Sequence, residues 1–311
     1  MIAVHLEQGI VSVREVPRKR RPQGHALLRL ITGGICNTDL ELQRGYYGFV
    51  GTPGHEFVAE VVQGKWTGRR VIGEINLACG KCDWCLRKLG RHCPSRTVLG
   101  IIKHPGAFQQ FFTLPEENLF LVPDRVSTEH AVFTEPIAAA CEILDQVKIA
   151  KAQPVAVLGD GKLGILIAQV LALHGAEVHQ IGRHKNKLAV SRGIGVKTRM
   201  GLPKTKFDIV VESTGSSRGL EEAVAITRAR GTIVLKSTVH DRTEMDLATI
   251  IVQEMTLVGS RCGRFAPALK LLQSGRLNLD PMIDSRYALA DAPQAFARAS
   301  EKGVLKVLLD G

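Results

Sequence analysis

The sequence predicts an α/β protein in which a β-barrel-like domain is joined to a doubly wound parallel-sheet domain. Three observations carry that prediction. The chain has 311 residues, about two domains at roughly 150 residues each. Up to about residue 125 it reads as short β-rich pieces broken by glycine and proline, and from about residue 150 strand-like and helix-like stretches alternate. At the start of that alternation an apolar strand runs into a glycine-rich turn and then a helix: Val155-Ala156-Val157-Leu158-Gly159-Asp160-Gly161-Lys162-Leu163-Gly164.

In chain order, the first part predicts strands over 26–31, 56–62, 70–75 and 108–114. Next come a strand over 154–158, a helix over 162–174 and a strand over 177–181. Strand, helix and strand within about 30 residues are the unit of a parallel sheet with right-handed crossovers. Strands at 209–212, 232–236 and 256–258, separated by helices at 220–228 and 247–253, extend the sheet. The tail predicts helices at 266–274 and 293–299 and a last strand at 304–309, which returns the chain to its first domain.

Composition bounds the function classes. Hydrophobic residues are 45% and charged residues 23%, the balance of a soluble globular chain rather than a disordered one. No apolar run approaches the ~18 residues that span a bilayer. The segment Met-Ile-Ala-Val-His-Leu-Glu lacks a basic stretch followed by an apolar core, so a cytoplasmic location is expected. The net charge of +11 favours an anionic partner: nucleic acid, membrane surface or phosphorylated small molecule. The charge is spread along the chain. Its one dense cluster, Arg18-Lys19-Arg20-Arg21 between Pro17 and Pro22, reads as a solvated loop. Seven cysteines are an odd number and exclude a full disulfide framework.

Four of those cysteines say metal instead. Cys79, Cys82, Cys85 and Cys93 form C-x2-C-x2-C-x7-C within fifteen residues, and four thiolates so close surround one Zn²⁺ tetrahedrally as the chain turns around it. Iron–sulfur ligation is the chief rival reading. Since all four positions are filled by thiolates, the expected site is structural. A second, scattered set comprises Cys36 in Gly34-Ile35-Cys36-Asn37-Thr38-Asp39, His55 and Glu56 in Pro53-Gly54-His55-Glu56-Phe57, and Glu135 in Thr134-Glu135-Pro136. A thiolate, an imidazole and carboxylates are the donors of an open catalytic zinc, which keeps a position for water or a substrate oxygen.

Gly-Ile-Cys-Asn-Thr-Asp, Gly-His-Glu-Phe-Val, the four-cysteine lobe and Glu-Pro followed by the glycine-rich turn, in that order, resemble the zinc-dependent medium-chain dehydrogenase/reductase family. The resemblance covers essentially the whole chain. It implies a GroES-like β-barrel catalytic domain over 1–148 and 265–311, with a zinc lobe at about 76–96, and a Rossmann dinucleotide-binding domain over 149–264. Glu135 stands where liver-type alcohol dehydrogenases carry a second cysteine ligand, so the chain is similar to the polyol, glucose and threonine dehydrogenase branch. The resemblance implies Cys36, His55 and Glu56 as ligands of the catalytic zinc, with Glu135 a ligand directly or through water. It also implies Asp39 as the carboxylate that orients His55, and Thr38 as the hydroxyl that passes the substrate proton outward. Glu41 stands where the family often continues that relay with a histidine.

In the glycine-rich turn, Gly159, Gly161 and Gly164 allow a tight turn and close approach of backbone to a pyrophosphate. Lys162 and Leu163 open the helix whose N-terminus faces the negative charge. NAD sites place an acidic residue near the end of the second strand, to hold the ribose diol. Here that strand runs into Gly182-Arg183-His184-Lys185. The basic trio Arg183, His184 and Lys185 favours the 2′-phosphate of NADP, since a guanidinium suits phosphate; a solvated basic turn is the alternative. The resemblance adds Thr214 and Gly215 at a strand end lining the cofactor cleft, and Lys306 near the pyrophosphate.

The function this predicts is hydride transfer between a secondary alcohol, polyol or sugar hydroxyl and NAD(P), NADP favoured, with two zinc ions per chain, one catalytic and one structural. A homodimer or homotetramer is expected from the resemblance; no nucleic-acid partner is expected, because the cysteine lobe lacks a basic face interleaved with aromatics, and no membrane partner, because no apolar run approaches a bilayer's span. A non-catalytic dinucleotide-binding relative, or an enone or quinone reductase that needs no zinc, are the competing readings. Tyr46, Tyr47, Phe49 and Phe108 serve equally as pocket walls or as packing.

Overall fold

The computed structural model describes residues 1–18, 20–238, 245 and 247–311. The chain divides into two compact units, Met1–Glu135 with Ile283–Gly311, and Pro136–Met282.

In the first unit the strand His25–Gly34, apolar on its buried face, pairs on one side with Glu56–Gln63. On its other side its first half pairs with Phe111–Pro115 and its last three residues with Lys306–Asp310, all antiparallel. The sheet continues outward through Arg70–Gly73 and Leu119–Leu121 at one end and Ile283–Ala288 at the other. The strand expected at the C-terminus therefore does return to this unit. Phe108 is fully buried and meets the Phe296 ring edge-on, 6.2 Å between centroids. Gly54 lets the chain pass beneath it: its φ is +101°, and a Cβ there would sit 2.4 Å from the Phe108 ring. That passage delivers His55 and Glu56 to the start of their strand.

The second unit holds a six-stranded parallel sheet. From edge to edge its strands are Lys197–Met200, Glu177–Gly182, Pro154–Leu158, Phe207–Glu212, Thr227–Leu235 and Thr256–Gly259. Order reverses beside the first strand, Pro154–Leu158, which is the switch point where a doubly wound sheet opens a crevice at its carboxyl edge. The helix Lys162–His174 follows that strand, buries Gly164–Leu171 and ends in the left-handed Gly175. Thr227, expected in a helix, starts the next strand instead, because its hydroxyl donates to the Ala223 carbonyl and closes the helix at Ala225. The Lys197–Met200 strand, with no apolar alternation to announce it, exists through its pairing with Glu177–Gly182.

Among the described residues no helix is long and apolar enough to cross a membrane. Of the basic cluster, Arg18, Arg20 and Arg21 are exposed, and Lys19 lies outside the described residues.

Gly159 has φ +121°, and a Cβ there would lie 2.5 Å from the Ser213 carbonyl oxygen. Gly159→Ala is expected to cost about 2–4 kcal/mol, adding backbone strain to overpacking. Denaturant melts of wild type and variant measure it; a cost below about 0.5 kcal/mol would contradict this account of the turn.

Candidate functional site

The four cysteines of the lobe converge. Cys82 is the N-cap of a short helix, Asp83–Leu86, that carries Cys85, while the strands Asn76–Leu77 and Thr97–Leu99 pair at the lobe's base. Sγ atoms lie 3.4 Å apart for Cys82 and Cys85, 3.7 Å for Cys82 and Cys93, and 3.9 Å for Cys79 and Cys85. A tetrahedral zinc with sulfurs at 2.3 Å sets its sulfurs about 3.8 Å apart, so the spacing fits. None of the four is in a disulfide. The N–H groups of Lys81 and Cys82 pull the Cys79 thiol down to about 6, whereas burial and the neighbouring thiols push Cys85 up to about 12. Four thiolates share this space when a cation neutralises them.

The second set is built around Asp39. Cys36 is the N-cap of the helix Asn37–Gln43, and its N–H donates to Asp39 Oδ2 at 2.9 Å. The Gly54 N–H donates to Asp39 Oδ1 at 3.1 Å, and His55 Nδ1 stands 3.4 Å from the same oxygen. That last contact is electrostatic, since Nδ1 forms no hydrogen bond of good geometry. With Nδ1 turned to Asp39, Nε2 is left for a metal. Ligand atoms of Cys36, His55 and Glu56 all lie within 4.8 Å of one another.

The donors gathered there suit a cation. Cys36, Asp39 and Glu56 are the acidic groups, and Glu56 Oε1 is buried with no hydrogen-bond partner. Its other oxygen ion-pairs with the fully buried Lys306 ammonium. Burial opposes charge on Lys306, but the Glu56 and Cys36 charges outweigh it and hold its pKa above the ordinary lysine value. Burial likewise opposes charge on His55, and Asp39 and Cys36 overcome it. Lys306, which the resemblance pointed toward a pyrophosphate, has its ammonium engaged inside this unit by Glu56, 250 residues away in the chain. Thr38 Oγ1 lies 3.8 Å from Cys36 Sγ. Glu135, in the first turn of Thr134–Gln146, stands outside the gathered group. Glu41 pairs with Arg44 at 2.6 Å.

At the glycine-rich turn, two glycines are required by the protein's own atoms and one is not. A Cβ on Gly164 would lie 2.5 Å from the Gly159 carbonyl, as one on Gly159 would strike Ser213. Gly161, the N-cap of Lys162–His174, has an ordinary φ of −76°, and no atom lies within 4 Å of the place its Cβ would take. That cradle fits close approach of a pyrophosphate to the helix N-terminus, the place Lys162 and Leu163 also occupy. Thr214 and Gly215 are held by the buried Glu212. Its Oε1 accepts from the Thr214 N–H at 2.8 Å and hydroxyl at 2.6 Å, and from Ser237, whose oxygen accepts the Gly215 N–H. Arg183, His184 and Lys185 are exposed where Glu177–Gly182 meets the helix Lys185–Arg192, and Arg183 donates to Glu222 at 3.1 Å. Asp160, to which the sequence reading gave no role, is 8% exposed beneath this turn.

Phe108 is core, as its burial shows. Tyr47 and Phe49 line an open cleft of about 850 Å³ with Met1, His5 and His104, and none of the Cys36 group lines it. The Tyr46 and Tyr47 rings pack against each other at a tilt of 38°, with centroids 4.1 Å apart. Cys141 is a buried thiol pushed up to about 11 by burial and by Asp145.

Comparison with known proteins bears on both units. Residues 22–124 match the alcohol dehydrogenase GroES-like domain, and residues 163–274 match the zinc-binding dehydrogenase domain. The chain is 26% identical to D-arabitol-phosphate dehydrogenase of Enterococcus avium, over 91% of this chain and 89% of that protein. It is 29% identical to L-threonine 3-dehydrogenase of Streptomyces avermitilis, over 95% and 94%. Among solved structures, a zinc-binding dehydrogenase of Sinorhizobium meliloti 1021 bound to NADP superposes with a TM-score of 0.90 at 26% identity, covering 100% of this chain and 99% of that one. With each unit matched to its own family domain and both metal-ligand clusters assembled, the chain belongs to the zinc-dependent medium-chain dehydrogenase/reductase family.

Proposed function

We propose that this protein is a zinc-dependent oxidoreductase that moves a hydride between the carbinol carbon of a secondary alcohol, polyol or sugar and a nicotinamide dinucleotide, with NADP preferred over NAD. The observation that carries the reading is the convergence of one thiol, one imidazole and one carboxylate within 4.8 Å, the donor set of an open catalytic zinc; one oxygen of that carboxylate is buried without a hydrogen-bond partner. Cys36, His55 and Glu56 would hold that zinc, with Glu135 as a further ligand directly or through water, and Cys79, Cys82, Cys85 and Cys93 a structural one. Bound there, zinc supplies Lewis acidity toward an alcohol oxygen, and a nicotinamide supplies the two-electron acceptor.

The chain's own residues do the rest. Asp39 fixes the ring of His55 and the backbone of Cys36 together. Thr38 Oγ1 takes the proton of the substrate hydroxyl and passes it outward. Lys306 ion-pairs with one oxygen of Glu56 and leaves the other without a hydrogen-bond partner. Gly161 admits the pyrophosphate to the helix N-terminus with Lys162 and Leu163, Glu212 presents Thr214 and Gly215, and Arg183, His184 and Lys185 receive a 2′-phosphate. A cytoplasmic setting, which keeps seven cysteines reduced, and a homodimer or homotetramer belong to the same reading.

The direct test is a panel of polyols, sugars, amino alcohols and simple secondary alcohols followed by NADP-linked absorbance, with NAD in parallel. A turned-over substrate whose rate falls at least about 10³-fold in Cys36→Ala, while NADP affinity stays within about threefold, supports the reading. Equal loss of catalysis and of dinucleotide binding would sink the role of Cys36. Gly161→Ala gives a second check. It is expected to leave the melting temperature within about 1 °C, since its Cβ meets nothing, and to weaken NADP and NAD alike by at least about tenfold. Unchanged affinity would remove the pyrophosphate from this turn.

A further inference from the structure

The sequence offers no carboxylate at the end of its second strand, yet the fold puts one there from elsewhere. Asp160, in the glycine-rich turn, packs against Gly182, the last residue of Glu177–Gly182. A Cβ on Gly182 would lie 2.6 Å from the Asp160 side chain. A carboxylate in that place is what a ribose diol asks for, but this one is turned inward. Its Oδ2 accepts the Arg183 N–H at 2.7 Å and the His184 N–H at 2.6 Å, and the His184 ring Nδ1 lies 3.1 Å from the same oxygen. Burial by itself would push the Asp160 carboxyl up. The His184 and Arg183 N–H groups and the His184 ring outweigh burial and hold it below the ordinary aspartate value.

We propose that Asp160 is the positioning residue that sets the choice of dinucleotide. It clamps the turn after the second strand by the Arg183 and His184 N–H groups and the His184 ring, so that the exposed turn of Arg183, His184 and Lys185 is fixed in place to receive a 2′-phosphate while its own oxygens are withheld from a ribose 2′-hydroxyl. The N–H groups it takes lie at the entry to the helix Lys185–Arg192, where backbone donors lack intrahelical partners. Charge-assisted bonds to them are the strong kind. A carboxylate so engaged has its charge answered by two dipoles and an imidazole, which lets a phosphate approach. The proposal rests on the NADP reading above and adds to it the group that enforces the preference.

The test is calorimetric titration of the intact, zinc-containing protein with 2′,5′-ADP and with 5′-ADP. These probes differ by the 2′-phosphate and need no turnover. In wild type, 2′,5′-ADP is expected to bind the more tightly. Asp160→Asn, which loses the charge and one acceptor, is expected to weaken 2′,5′-ADP by at least about tenfold and leave 5′-ADP within about twofold. Gly182→Ala provides an independent perturbation. It keeps Asp160 but drives its side chain off the N–H groups, and the same selective loss is expected. Equal losses for both probes would make Asp160 a general support of the turn, and no loss would make it a bystander. Selective loss of 5′-ADP would make it the ribose acceptor. Each of these overturns the proposal. If wild type binds the two probes equally, it is the NADP reading that fails, whatever the variants do. Should Asp160→Asn not fold, Gly182→Ala decides alone.

Discussion

The structure of the candidate catalytic centre depends on one buried carboxylate. Asp39 is fully buried, a costly place for a charge unless it is well partnered. It takes the N–H of Cys36 from one segment, the N–H of Gly54 from another, and the ring of His55 beside it. These contacts tie the end of His25–Gly34 to the beginning of Glu56–Gln63. The two strands already pair along their length, Gly34 opposite Glu56, and Asp39 converts that pairing into a cluster of metal donors just beyond it. Gly54 is the geometric condition, since any side chain at its positive φ would strike Phe108.

The second constraint is charge. Bringing the buried Asp39 and Glu56 together beside the half-buried Cys36 gathers acidic groups where water screens them little. Lys306 answers one of them from the far end of the chain, carried in by the strand Lys306–Asp310 alongside Gly34. The other oxygen of Glu56, buried without a hydrogen-bond partner, is left for a divalent cation. The same economy recurs in the second unit, where Asp160 and Glu212, both buried, spend their oxygens on the N–H groups of the turns that carry the cofactor-facing residues.

Much of this was legible in the sequence because local rules acted alone. The strand Pro154–Leu158 and helix Lys162–His174 are announced by an apolar run, a glycine turn and a 3.6-residue period, and the cysteine lobe by spacing within fifteen residues. What escaped was set by partners distant in sequence. Lys197–Met200 is a strand because Glu177–Gly182 pairs with it. The helix Asn37–Gln43 begins through a cap formed between Cys36 and Asp39, in a sequence that reads as a motif rather than a periodic pattern. The partners of Lys306 and Asp160 lie where no spacing rule reaches. Of the scattered metal set, Cys36, His55 and Glu56 gather, and Glu135 stands apart from that gathering.

The measurement that tests the central claim most directly is zinc per chain in dialysed protein, wild type beside Cys36→Ser. Two separate sites, one in the cysteine lobe and one centred on Asp39, predict two ions in wild type and one in the variant. A single ion in wild type that the substitution leaves in place would contradict the account, because the donors around Asp39 would then hold no metal.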